Sequence, residues 1–121
     1  MRRNILVVDD DNDTLQSIRV IFEHLGYEVF TANDGIACIE QLEDGFEGIV
    51  LMDIMMPRMD GWDTIKEIVN RGLEKNVEIL VMTAKGTLNH EKMKGLEIYI
   101  KDYIAKPFDI DGLVKSIEQL T

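Results

Sequence analysis

Five residues stand where their types could do chemistry together: Asp9 and Asp10, Asp53, Thr83 and Lys106. The aliphatic run Ile5-Leu6-Val7-Val8 leads into Asp9-Asp10, Ile49-Val50-Leu51-Met52 leads into Asp53, the run from Val77 ends in Thr83, and a short strand pattern ends just before Lys106. Apolar runs without alternation are the mark of strands buried on both faces, as in a parallel sheet. In such a sheet every strand's C-terminal end lies along one edge, and ligands bind there near the point where the strand order reverses. If the first and third strands are neighbours, they lie ~4.8 Å apart and bring three carboxylates into contact range. Three like charges so close cannot all stay ionised without compensation. Mg²⁺, a hard cation that takes oxygen ligands, supplies it, and Lys106 offers a second counter-charge.

The elements that must position these groups follow from the alternation of short apolar runs with helical spacing. After the first strand, Leu15, Ile18, Phe22 and Leu25 mark one face of a helix, with Asp11, Asn12 and Asp13 as capping and first-turn residues and Gly26 as its stop. Tyr27 to Thr31 reads as a second strand whose end, Thr31-Ala32, adds no charge, and Asp34-Gly35 opens a helix to about Glu43 with Ala37, Cys38 and Leu42 inward. Ile49 to Asp53 is the third strand. A loop from Met55 to Gly61 holding Pro57 leads to a helix from about Trp62 to Arg71. Val77 to Thr83 is the fourth strand, Leu88 to about Ile98 a helix, Asp102 to Ala105 a short fifth strand, and Asp109 caps a last helix carrying Leu113, Ile117 and Leu120. Five strand-helix units predict one doubly wound α/β domain, a parallel sheet with helices on both faces.

Composition narrows the function classes. The 121 residues carry 23 acidic side chains against 13 Lys and Arg, a net charge of −10, with 45% hydrophobic positions, enough for one core. Residues 1–57 hold twelve acids and three bases, whereas residues 58–121 hold eleven acids and ten bases. Excess acid argues against direct nucleic-acid binding, which needs clustered Lys and Arg. No apolar run approaches the ~20 residues of a membrane span, and the N-terminus does not read as a signal peptide. With a single Cys and hence no internal disulfide, a cytoplasmic setting is expected.

Each candidate also has an ordinary explanation. The acidic stretch Asp9 to Asp13 resembles a helix N-terminus, an Asp at a strand end forms turns, Thr caps, and Lys-Pro is a common loop dipeptide. What chance does not readily supply is four of five strand ends carrying groups that fit one site. Other chemistries fit worse. A calcium loop starting at Asp9 would need Gly and Glu where Thr14 and Val20 stand. A phosphate-cradling turn would not be built of acids. His24 and His90 sit on the first and fourth helices, and Cys38 reads as a small buried residue.

Over essentially its whole length, residues 1–121, the chain resembles the receiver domain of two-component response regulators, a CheY-like, flavodoxin-like fold with strand order 2-1-3-4-5. The resemblance rests on Val7-Val8-Asp9-Asp10, on Met52-Asp53-Ile54-Met55-Met56-Pro57-Arg58-Met59-Asp60-Gly61, on Met82-Thr83-Ala84 and on Tyr103-Ile104-Ala105-Lys106-Pro107-Phe108, in the family's order and spacing. It implies that Asp53 accepts a phosphoryl group from a sensor histidine kinase or phosphotransfer protein. Asp9, Asp10, Asp53 and the backbone carbonyl of Met55 would hold Mg²⁺. Lys106 would neutralise phosphoryl oxygens, Thr83 would be the switch hydroxyl, Tyr103 the aromatic that turns with it, and Lys106-Pro107 a cis bond. Asp13, Ser17 and Val20 on the first helix, with Phe108, resemble the kinase-docking surface. The fourth helix, fifth strand and fifth helix would form a face for partners or a homodimer.

Two departures stand out. The positions that in this family flank the path of attacking water are Met55 and Lys85, neither able to accept a proton at neutral pH, which implies a long-lived phosphoryl group. Tyr99-Ile100 replaces the family's usual Gly-Ala before the fifth strand and leaves open how the fourth helix ends. A Mg²⁺-dependent phosphohydrolase with an aspartyl-phosphate intermediate is the competing function, although no unit is long enough to carry a cap over the site. A receiver-like module that is never phosphorylated is a third, which the complete set of five residues disfavours.

Overall fold

Two apolar layers flank a single sheet in the computed structural model, which describes residues 3–84 and 89–120. The strands are β1 (Asn4–Val8), β2 (Glu28–Ala32), β3 (Gly48–Asp53), β4 (Val77–Ala84) and β5 (Ile100–Lys106), and all pair in parallel in the order β2-β1-β3-β4-β5. The helices among the described residues are α1 (Asn12–His24), α2 (Gly35–Glu43), α3 (Gly61–Asn70), the single turn α4 (His90–Met93) and α5 (Ile110–Glu118).

The uninterrupted apolar runs become two alternating sets once folded. Leu6, Val8, Val50, Met52, Ile79 and Val81 face the layer that holds Cys38, Leu42, Trp62, Ile65 and Ile68 from α2 and α3. Ile5, Val7, Ile49, Leu51, Leu80 and Met82 face the opposite layer, with Leu15, Ile18 and Phe22 of α1 and Leu113 and Ile117 of α5. Each fully buried side chain of this kind contributes ~1.5–3 kcal/mol, so these central strands carry much of the driving force for the fold. Because β1 and β3 are buried on both faces, only their ends are free to hold polar groups.

Caps set where the helices begin. Asp11 accepts the Asp13 N–H at 3.0 Å at the start of α1, Asp34 the Ala37 N–H at 2.8 Å, and Asp109 the Gly112 N–H at 3.2 Å. At α3 a reciprocal capping box operates, with Asp60 accepting the Asp63 N–H at 2.8 Å while Asp63 accepts the Asp60 N–H at 3.3 Å.

Several expected boundaries shift. The fourth helix, expected over Leu88 to Ile98, is one turn long. Asn89 caps it, Lys94 turns to extended backbone, and Gly95 adopts φ +83°, a left-handed geometry that ends the turn far earlier than Tyr99-Ile100 would. A short 3₁₀ turn at Glu97–Tyr99 then leads into β5, which runs longer than the expected Asp102 to Ala105. Leu88 itself lies outside the described residues. Leu25 is the C-cap of α1 and 39% exposed rather than a core position, because the helix has ended before its side chain can turn inward. In α2 the buried pair is Cys38 and Ile39, with Ala37 only partly buried.

Candidate functional site

The sheet register builds the site. Val8 pairs with Met52, so the next residues, Asp9 and Asp53, emerge side by side at the C-terminal edge of adjacent strands. Asp53 is itself in register with Met82. The Asp9 N–H continues the ladder to the Ala32 carbonyl at 3.1 Å, which holds the backbone of the acidic turn in the sheet.

Asp9, Asp10 and Asp53 each place a carboxylate oxygen within 4.8 Å of the others. Asp9 is fully buried and Asp53 4% exposed, whereas Asp10 faces solvent. Lys106, at the end of β5, reaches across to Asp9 Oδ2 at 2.6 Å and lies 3.5 Å from Asp53 Oδ2. A backbone donor holds the other oxygen of each: Asp11 N–H gives to Asp9 Oδ1 at 2.9 Å and Met55 N–H to Asp53 Oδ1 at 3.1 Å. No residue type announces such main-chain donors, so sequence reasoning had no signal for them.

Burial dominates the electrostatics of Asp53 and pushes its pKa up to about 6. The Met55 N–H and the Lys106 ammonium oppose the rise, and the neighbouring Asp9 adds to it. For Lys106, burial alone would lower the pKa, but the ion pairs with Asp9 and Asp53 hold it above the usual lysine value. A buried carboxylate that ionises only with difficulty, beside two others and one ammonium, is a donor set that fits a hard divalent cation.

The other expected residues fall as follows. Thr83 stands on the same edge in register with Ala105; among the described residues no hydrogen bond ties its hydroxyl to the carboxylates. Tyr103, on β5, is 39% exposed, on the opposite face of the strand from buried Ile104. Asp13, Ser17 and Val20 all lie on the exposed face of α1, while Phe108 is half-buried against the α1/α5 layer. The Met55 side chain is exposed beside Asp53. Lys85 lies outside the described residues. Lys106-Pro107 is cis, as the resemblance implied. Cys38 is buried with its thiol pushed up to about 12 by desolvation, which removes it as a nucleophile. Neither Asp60 nor Lys92 figured among the candidates, yet they form a 2.6 Å ion pair beside this edge.

This edge and fold define a class. The sequence model of the response regulator receiver domain matches residues 5–118, and the chain belongs to that family. Among curated relatives, the response regulator MprA of Mycobacterium tuberculosis is 33% identical over 120 residues, covering 99% of this chain and 51% of the relative. The chain thus spans about half the length of the curated relatives it matches. A crystal structure of a response regulator receiver domain protein (CheY-like) from Methanospirillum hungatei is similar, with TM-score 0.90 and 42% identity over 94% of this chain and 90% of that one. The response regulator protein TrrA from Thermotoga maritima, solved in complex with Mg(2+)-BeF, matches with TM-score 0.80 and 26% identity over the full length of both. The chain is therefore a receiver domain of the two-component response regulator family, a signalling switch. Among the described residues no helix is long and apolar enough to cross a membrane.

Proposed function

We propose that Asp53 is the phosphoacceptor of this receiver, and that residues 1–121 act as one phosphorylation-controlled switch. The observation that carries the reading is the convergence of Asp9, Asp10, Asp53 and Lys106 at one strand edge, with Asp53 buried and its carboxylate tethered by the Met55 N–H. A carboxylate oxygen of Asp53 attacks the phosphorus of a phosphohistidine on a sensor histidine kinase or phosphotransfer protein. The P–N bond breaks, its electron pair stays on the ring nitrogen, the imidazole leaves neutral with the proton already carried on its other nitrogen, and an acyl phosphate remains on Asp53.

Asp9, Asp10, Asp53 and the Met55 carbonyl would hold Mg²⁺, which when bound neutralises charge on the carboxylates and on the entering phosphoryl group. Lys106 sits on an oxygen of Asp9 and within 3.5 Å of Asp53, so its ammonium needs little movement to meet a phosphoryl oxygen. Thr83 would take another of those oxygens as a hydroxyl donor, and Tyr103 would turn inward as it moves. The phosphoryl group thereby biases a two-state equilibrium rather than building a new fold. The protein promotes its own phosphorylation and dephosphorylation and turns over no other substrate.

The exposed side chains Asp13, Ser17 and Val20, together with Phe108, would receive the kinase. The face made by α4, β5 and α5 would serve a partner or a second copy. The domain itself would contact neither nucleic acid nor membrane, and would work in the cytoplasm. Met55 and Lys85, the latter outside the described residues, stand at the sequence positions that in the family flank the path of water, and neither side chain accepts a proton, so the acyl phosphate is expected to be long-lived. Incubation with a small phosphodonor and Mg²⁺, read by intact mass in the wild type and in Asp53→Asn, tests the reading.

A further inference from the structure

The turn α4 is anchored to the rest of the domain by few contacts. It has no buried residue of its own, and Met93 alone packs partly against the core. A cleft of about 510 Å³ opens between α3 and the segment that follows, lined among others by Trp62, Lys66, Lys92 and Tyr99. Across one end of this cleft Lys92 Nζ reaches Asp60 Oδ2 at 2.6 Å and lies 3.7 Å from Asp63 Oδ2. Asp60 is fully used by this arrangement, because its other oxygen caps α3 through the Asp63 N–H. Beneath the cleft, Trp62 is 3% exposed and its indole N–H is buried without an acceptor among the described residues. No hydrogen bond from the Trp62 indole therefore helps to hold the α4 segment, which leaves the Lys92 ion pairs as the polar contacts across this cleft among the described residues.

Asp60 is also tied to the acceptor loop. Gly61 donates to the Ile54 carbonyl at 3.1 Å, and its backbone sits so close that a Cβ there would lie 2.6 Å from Ile54 Cα and 2.7 Å from the Asp53 carbonyl oxygen. The start of α3 therefore cannot move independently of Asp53 and Ile54. A continuous path runs from Asp53 through Gly61 and Asp60 to Lys92, and it does not pass through Thr83.

We propose that the Lys92–Asp60 ion pair is a latch that holds the α4 segment in its resting position and couples that position to the loop following Asp53. Lys92 is a positioning residue, remote from the reacting atoms. Its effect on the switch rests on Asp53 being the phosphorylated residue, whereas the latch itself does not. For a segment with so few other anchors, one partly exposed pair suffices to shift the population severalfold.

Amide hydrogen exchange of the full chain tests this with Lys92→Gln and with Asp60→Asn, in which Asn keeps the cap oxygen but loses the charge. In the unphosphorylated protein, exchange over residues 89–99 should rise roughly two- to fivefold in either variant, the double variant should be no faster than the faster single, and α1 and α2 should not change. High salt should speed the same amides in the wild type and leave the variants as they are, a response that loss of packing alone would not give. Treatment with a small phosphodonor and Mg²⁺ should bring wild-type exchange over 89–99 toward that of Lys92→Gln. Unchanged exchange in both variants would overturn the latch. Faster exchange in the variants, with wild-type exchange unmoved while intact mass shows phosphorylation, would overturn its coupling to Asp53. Absence of the mass gain would count against the Asp53 reading and leave the latch standing.

Discussion

Lys106 and Asp9, 97 positions apart in the chain, meet at 2.6 Å, and that ion pair closes the site. Asp9 is buried at the end of a central strand, and among the described residues Lys106 and the Asp11 N–H are the donors to its carboxylate. Removing the ammonium leaves an uncompensated buried carboxylate. We predict that Lys106→Met lowers the stability of the metal-free domain by about 2–3 kcal/mol, somewhat below the ~3–5 kcal/mol of a fully buried pair because Lys106 is partly exposed. Adding Asp9→Asn to Lys106→Met should cost little more. Denaturant titration of the two single variants and the double measures the coupling, and additive losses would show that the pair is not what holds these groups.

Asp53 carries a stability cost of its own. With its pKa raised from 3.8 to about 6 by burial, the native state binds a proton more tightly than the unfolded chain, so this group disfavours folding progressively as the pH rises from about 4 to about 6. Asp53→Asn removes the charge. It should stabilise the metal-free domain at pH 7 by on the order of 2 to 3 kcal/mol, the free energy that corresponds to a rise from 3.8 to about 6, which is already net of the opposing Lys106 and Met55 N–H. The advantage should vanish below about pH 4, where Asp53 is protonated in both states, and Mg²⁺ should raise the Tm of the wild type more than that of the variant. Thermal melts across pH, with and without Mg²⁺, decide the matter.

Two glycines should respond in opposite directions to alanine. Gly61 presses against the backbone of Asp53 and Ile54, so Gly61→Ala must push α3 away from the acceptor loop and should cost about 2 kcal/mol or more, as overpacking does. Gly112, in α5, has room, its nearest neighbour being the Asp109 carboxylate at 3.4 Å, and Gly112→Ala should gain about 0.5–1 kcal/mol through helix propensity. Chemical denaturation of both variants checks the contrast.

The lifetime of the acyl phosphate should depend on Met55. Its exposed thioether stands beside Asp53 and cannot take a proton from water, whereas an amide side chain could orient a water molecule there. Met55→Asn should accelerate loss of the phosphoryl group severalfold with little change in stability. Mass spectrometry over time after removal of the donor provides the rate, and an unchanged rate would show that the water path does not involve this position.

Much of this architecture was legible from residue types alone. Double-sided apolar runs marked β1, β3 and β4, and the groups at their ends identified the acidic edge, because a strand with both faces buried can present polar chemistry only where it stops. What escaped had physical reasons. The fourth helix was read through Gly95, whose left-handed conformation overrides the surrounding helical spacing. α3 starts at Gly61, one residue before the expected Trp62, because the reciprocal Asp60–Asp63 capping box fixes Asp60 as its N-cap. The Lys92–Asp60 pair joins residues 32 positions apart, and no local pattern predicts a contact made only after the β–α units have stacked. Main-chain donors to Asp9 and Asp53 are invisible to any reading of side-chain type.

The central claim, that Asp53 is the phosphoacceptor in a Mg²⁺ site, is most directly tested by intact mass spectrometry of the wild type and Asp53→Asn after incubation with a small phosphodonor, with and without Mg²⁺. The account predicts one phosphoryl group per wild-type chain, dependent on Mg²⁺ and absent from Asp53→Asn. No gain in the wild type, or a gain that survives Asp53→Asn, would contradict it.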